Sequence, residues 1–147
     1  MERSGWLLLL LATPTEEGET PPLDPVRVMK GLFLLNKEGN LDDPPDYEFE
    51  PYHYGPVSLE VYDDLPELVE KGLIEELAVP GYSWSKYQLS SEGTNRYQEL
   101  RAASPQSAIA QVDKVKNTVS SLSFRALLRQ VYSEYPQYAV NSVIGRL

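Results

Sequence analysis

Apolar residues recur at intervals of three and four along much of the chain, which is the period of an α-helix. The leucine run at residues 7–11 is too short to span a membrane and predicts a buried helix near residues 5–12. A signal-peptide core is the alternative for this run, but no Ala-x-Ala cleavage site follows it. The same period predicts helices at residues 24–37 and 58–71, the latter kinked or split at Pro66.

Residues typical of helix ends and strands lie between these segments. Asp24 is placed to cap the second helix, and Gly39 is placed to end it. Tyr47 and Phe49 alternate with glutamates, which predicts a short, half-buried strand that ends at Pro51.

Two further elements follow the third predicted helix. Residues 73–89 read as a β-hairpin with a Pro-Gly turn, and a helix then extends to about Ala103. Three helices followed by a hairpin are the order of a winged helix. We therefore expect an α+β fold that is mostly helical, with a winged helix-turn-helix body over residues 1–103.

The last part of the chain, residues 104–147, predicts a two-helix extension. Its apolar residues form a stripe at helical spacing that is too large to remain in water. This stripe packs either on the body or on a second copy of the chain. We favour a homodimer, with the interface at Val115, Val119, Leu127 and Val131.

Charge is distributed unevenly along the 147 residues, whose net charge is −9. Residues 1–103 contain 8 basic and 20 acidic side chains, a net charge of −12, whereas residues 104–147 carry +3. The predicted third helix, which would enter the major groove of DNA, contains five acids and Lys71 as its only base. Phosphates repel such a helix, so DNA is possible but disfavoured as a partner.

Composition removes most catalytic and metal chemistry. The chain has no cysteine and a single histidine, His53, and it contains no phosphate-binding glycine loop. Its paired acids are adjacent in sequence and point apart, so they do not form a catalytic dyad. The Ser58 hydroxyl is better explained as a helix cap than as a nucleophile. We expect no cofactor, no metal and no catalytic residue, and hence not an enzyme.

Aromatic residues are the best candidates for a binding surface. Ten tyrosines occur in the chain, and they recur near predicted element ends. Tyrosine and tryptophan provide rigid contact area with a polar tip. We expect partner binding at Tyr52, His53 and Tyr54, which form one turn, and at Tyr82 and Trp84 at the tip of the hairpin. Anchoring of the core and the turns is the alternative role for these side chains.

A family resemblance rests on three segments. YHYGPVS at residues 52–58, followed by VYDDL at 61–65, resembles the YGP-centred motif of Panacea (SocA-like) antitoxin domains. The helix VMKGLFLL at 28–35 and the closing YPQYAVNS at 135–142 are similar to a related, prokaryotic YwgA-like family. Panacea-type domains are linked to toxin neutralisation, so the resemblance implies a binding module rather than a catalyst. It transfers no functional residue to this chain.

The function we expect is therefore that of a non-catalytic, protein-binding regulatory module of winged-helix type, antitoxin-like or an accessory of a defence system. A DNA-binding transcription regulator acting as a dimer is the alternative. We expect a cytoplasmic chain that binds another protein and no membrane.

Overall fold

A computed structural model describes residues 1–38 and 41–143. These residues form an α+β structure that is mostly helical, with six α-helices and two two-stranded antiparallel sheets. The elements are α1 Arg3–Ala12, α2 Pro25–Glu38, β1 Glu50–Tyr52, β2 Gly55–Val57, α3 Leu59–Glu70, β3 Ile74–Ala78, β4 Ser85–Leu89, α4 Gly93–Ala103, α5 Gln106–Ser121 and α6 Phe124–Glu134, with a 3₁₀ turn at Pro136–Tyr138.

The predicted first helix is confirmed, and it forms the centre of the core. Every residue of α1 from Gly5 to Ala12 is buried. A helix that is apolar on all sides must be surrounded, and α1 contacts α2, α4, α5 and β4. Among the described residues, no helix combines the length and the apolar character that crossing a membrane requires.

Helix α2 begins as its sequence predicts. Pro25 occupies the first helical position, and Asp24 Oδ1 accepts a hydrogen bond of 2.8 Å from the backbone N–H of Arg27. The predicted stop at Gly39 lies outside the described residues.

The sequence predicts a kink or a split of the third helix at Pro66, and the split is wrong. Helix α3 continues through this residue from Leu59 to Glu70. Pro66 lies on the exposed face, and Tyr62, whose carbonyl loses its helical donor, is also exposed. Water can therefore satisfy that carbonyl, which lets the helix tolerate the missing N–H.

The strand predicted at Tyr47 and Phe49 is also wrong, because strand pairing begins only at Glu50. Strand β1 contains Pro51 and pairs with β2, so that Pro51 lies opposite Pro56. Neither proline has an N–H to donate. This middle pair of the ribbon therefore has no backbone hydrogen bonds of its own, which a two-stranded ribbon tolerates. Tyr47 is instead drawn into the core, where its hydroxyl donates a 2.6 Å hydrogen bond to Asp64.

The second hairpin is confirmed within residues 73–89. Strands β3 and β4 pair from Ile74 opposite Leu89 to Ala78 opposite Ser85. An additional antiparallel bridge joins Leu23, just before α2, to Tyr87 on β4.

The two predicted tail helices are present, and they share the core of the rest of the chain. Ser123 caps helix α6, and its hydroxyl accepts a hydrogen bond from Ala126 N–H. The expected interface residues Val115, Val119, Leu127 and Val131 are buried inside the chain. Helix α5 packs on α1 and α2, and α6 packs on β2. Because the chain itself covers this stripe, a homodimer would have to use another surface.

Candidate functional site

A groove with aromatic walls opens between α2, the first hairpin and the start of α3. Its volume is about 560 Å³. We call it the tyrosine groove, and the residues that define it are Met29, Lys30, Tyr52, Tyr54, Val57 and Tyr62. Glu50, Gly55 and Leu59 also line it.

The rim of the tyrosine groove exposes large side chains that would ordinarily be covered. Tyr52, Tyr54 and Tyr62 are each about half exposed, and Leu59 is 64% exposed. Such apolar and aromatic area around a concave site is typical of a surface that binds another molecule.

A buried lysine lies at the floor of the groove. Lys30 is 2% exposed, and its Nζ donates a 3.1 Å hydrogen bond to the backbone carbonyl of Pro56. Burial lowers the pKa of Lys30 to about 7, which the nearby Asp24 carboxylate opposes only in part. Desolvation has thus outweighed the charge stabilisation that this lysine receives.

Lys116 is a second buried lysine, but its environment differs. Its Nζ donates two hydrogen bonds of 2.8 Å to the carbonyls of Leu10 and Leu11. These carbonyls belong to the last turn of α1 and lack helical donors. Lys116 therefore has a complete structural role in capping α1, whereas Lys30 donates to one carbonyl and borders a cavity.

Gly55 allows the hairpin to close over Lys30. Its φ is +89°, a conformation that other residues rarely adopt. A Cβ there would lie 3.1 Å from Leu128 Cδ2, 3.3 Å from Lys30 Cε and 3.5 Å from Tyr132 Cε1. The glycine of the YGP motif thus permits the close approach of the hairpin to the lysine.

Two hydroxyl groups near the groove lack a partner within the described structure. The Oγ of Ser58 is buried, although Ser58 occupies the N-cap position of α3 and was predicted to cap it. The Oη of Tyr132, on the ring beneath Gly55, is likewise buried and unpaired. Buried hydroxyls usually have a hydrogen-bond partner.

An ion-pair cluster fixes α3, one wall of the groove. The Arg3 guanidinium donates to both carboxylate oxygens of Asp64, at 2.9 and 3.1 Å, and also to Glu60. Tyr47 donates to the same Asp64 carboxylate, and its pKa is raised chiefly by burial and then by this contact. Asp64 is buried, and its ion pair with Arg3 ties α3 to α1.

The structure divides the predicted partner-binding residues into two groups. Tyr52 and Tyr54 line the tyrosine groove, and His53 stacks on Tyr52 at 4.4 Å between ring centroids. Tyr82 and Trp84 form a separate pair on the second hairpin, with ring centroids 4.2 Å apart, and both are exposed. Sequence reasoning missed Lys30, although its place on the apolar stripe of α2 was a usable signal.

Another cavity, of about 730 Å³, lies between the loop after α1 and helices α4 and α5. Several of its polar groups already have partners. Arg101 is paired with Asp113 at 3.6 Å, and Asn117 accepts a 2.8 Å hydrogen bond from Glu16 N–H. In the part of the chain that the structure describes, no cluster of three or more histidine and acidic side chains is arranged to hold a metal ion.

No protein-family model matches the chain, and a search of curated proteins finds no match.

Proposed function

We propose that the chain is a non-catalytic, cytoplasmic regulatory module that binds another protein through the tyrosine groove. The observation that carries this proposal is the half-exposed tyrosine rim around a buried lysine. Aromatic side chains with polar tips are enriched among the residues that dominate protein–protein binding energy.

We also propose a winged-helix body. The order of α1, α2, α3 and the second hairpin supports this assignment. The bridge from Leu23 to Tyr87 supports it further, because it pairs a short extended segment, which lies between α1 and α2 in the chain, with the second hairpin. An antitoxin-like or defence-accessory role follows only from the resemblance of the YGP segment to Panacea-type domains.

Duplex DNA is a poorer partner for this surface. The exposed face of α3 carries Asp63, Glu67 and Glu70, and Lys71 beside them is ion-paired with Glu67 at 2.9 Å. In the tail, Lys116 is buried and cannot contact a phosphate. Both features weaken the case for a DNA-binding regulator.

The test is site-specific photo-crosslinking in the cells that produce the protein. A photoreactive residue at Tyr54 reports on the groove, and the same residue at exposed Gln98 on α4 is the control. A protein captured only from Tyr54 is then purified and combined with the chain. We expect the double variant Tyr54→Ala, Tyr62→Ala to weaken that complex at least tenfold, and Gln98→Ala to leave it unchanged.

Two results would contradict the proposal. One is a reconstituted complex whose affinity does not change in the groove variant. The other is tight, salt-sensitive binding of duplex DNA in a gel shift with competitor, which would favour the alternative regulator.

A further inference from the structure

We propose that the tyrosine groove binds a carboxylate, namely that of the apolar or aromatic C-terminal residue of the partner protein, with Lys30 as its anchoring group. The inference rests on the proposed function for the source of the carboxylate. The chemistry of the site itself stands on the groove and its buried donors.

Lys30, the polar group at the floor of the groove, is a donor with unused capacity. A lysine ammonium has three N–H bonds, and Lys30 directs one of them to the Pro56 carbonyl. Beside the groove, Ser58 next to Val57 and Tyr132 under Gly55 hold buried hydroxyls without a partner among the described residues. A floor of this kind requires an acceptor, and a carboxylate accepts several hydrogen bonds at once.

The charge of Lys30 lacks a direct counterion. The acid that raises its pKa is Asp24, whose carboxylate is already occupied by the backbone N–H and the guanidinium of Arg27, at 2.8 and 3.7 Å. A buried cation with so little compensation is costly, and an anionic ligand removes that cost. Lys116 shows the contrasting case, in which two carbonyls already satisfy the ammonium.

The walls of the groove indicate which kind of residue presents the carboxylate. Met29, Val57 and the tyrosine rings offer apolar and aromatic surface next to Lys30. Only the last residue of a chain combines a carboxylate with an apolar side chain, because aspartate and glutamate use their side chain for the charge. Glu50 at the groove edge and the acidic face of α3 favour basic residues upstream of that end.

The test uses small probes of the chain end and needs no partner. ¹⁵N–¹H spectra of the whole protein are recorded with N-acetylphenylalanine, with its C-terminal amide, and with N-acetylaspartic acid amide as the side-chain carboxylate. We expect the first probe to shift the amide signals of Gly55 and Val57, with an apparent affinity at least fivefold above that of either other probe.

Lys30→Met tests the anchor, and Lys114→Met is the control. Lys114 is an exposed lysine on α5 outside the groove, so its replacement changes the net charge equally. The carboxylate preference should disappear in Lys30→Met and remain in Lys114→Met. In the wild type, the first probe should also raise the pKa of Lys30, read from its ¹³Cε signal, because an adjacent anion stabilises the ammonium.

Equal binding of acid and amide by the wild-type protein would overturn the carboxylate proposal, as would shifts confined to residues outside the groove. A preference for the aspartate probe would overturn the assignment to a chain end. None of these results depends on the crosslinked partner, so failure here is distinguishable from failure of the proposed protein-binding function.

Discussion

Replacing Lys30 by methionine should stabilise the protein at neutral and acidic pH. Burial lowers the pKa of this lysine from 10.5 to about 7, which corresponds to about 5 kcal/mol of cost for keeping it charged in the folded state. Methionine has a similar shape and no charge, but it loses the charge-assisted hydrogen bond to Pro56, worth about 1.5–3 kcal/mol. We therefore expect a net gain of about 2–3 kcal/mol in the free energy of unfolding at pH 6.5.

The pH dependence gives a second signature of the same effect. Below pH 7, Lys30 is protonated in both the folded and the unfolded protein, so the burial cost is fully present. Between pH 7 and 10.5 the unfolded state binds more protons, so the stability of the wild type should rise with pH. Lys30→Met should show a smaller rise, and the remainder is expected because burial also lowers the pKa of Lys116, to about 8. Urea denaturation followed by tryptophan fluorescence at pH 6.5 and 9.5 measures both effects.

Lys116→Met is the matched control, and its stability should change in the opposite direction. The change relieves the burial cost that lowers the pKa of Lys116 to about 8, but it also removes two charge-assisted hydrogen bonds and leaves the carbonyls of Leu10 and Leu11 buried without a donor. We expect a loss of about 1–3 kcal/mol. If Lys30→Met is as destabilising as Lys116→Met at pH 6.5, then Lys30 is a structural cap and the reasoning about an uncompensated cation is refuted.

Three further changes test other parts of the account. Gly55→Ala should lower the free energy of unfolding by about 2–4 kcal/mol, because the position combines a positive φ with close contacts. Gly81 has a similar φ but open space around it, so Gly81→Ala should lower the free energy of unfolding by only about 1–2 kcal/mol. Equal losses of stability in thermal melts of the two variants would contradict the close approach at Gly55. The pKa of Glu38 is raised to about 7, first by burial and then by the neighbouring Glu134. The contribution of Glu38 to stability therefore falls as pH rises from 4.5 to 7. Glu38→Gln should flatten the dependence of the melting temperature on pH in that range. Arg3→Met should cost about 3–5 kcal/mol in urea denaturation, because it leaves Asp64 buried without its cation; a loss below 1 kcal/mol would show that the pair is not needed.

Much of the helical framework was predictable because it depends on local periodicity. The leucine run of α1 and the apolar spacing of α5 are strong signals for buried helices, and the structure contains both helices. The strand at Tyr47 and Phe49 was wrongly predicted because Tyr47 makes a contact distant in sequence, its buried hydrogen bond to Asp64. No local pattern contains that information.

The candidate site was predictable only in part. Tyr52 and Tyr54 were expected to bind a partner, and they line the groove. Lys30 was missed because a lysine is ordinarily exposed, and its burial follows from the hairpin that closes over it at Gly55. Lys116 was missed for a similar reason, since its acceptors belong to α1, more than a hundred residues earlier.

The most direct test of the central claim is the dissociation constant of the reconstituted complex between this chain and the partner crosslinked at Tyr54. We predict that the double variant Tyr54→Ala, Tyr62→Ala raises this dissociation constant at least tenfold. Lys30→Met should raise it by a comparable factor, and Lys114→Met should leave it unchanged. A complex whose affinity is the same for all four proteins would contradict the tyrosine groove as the binding site.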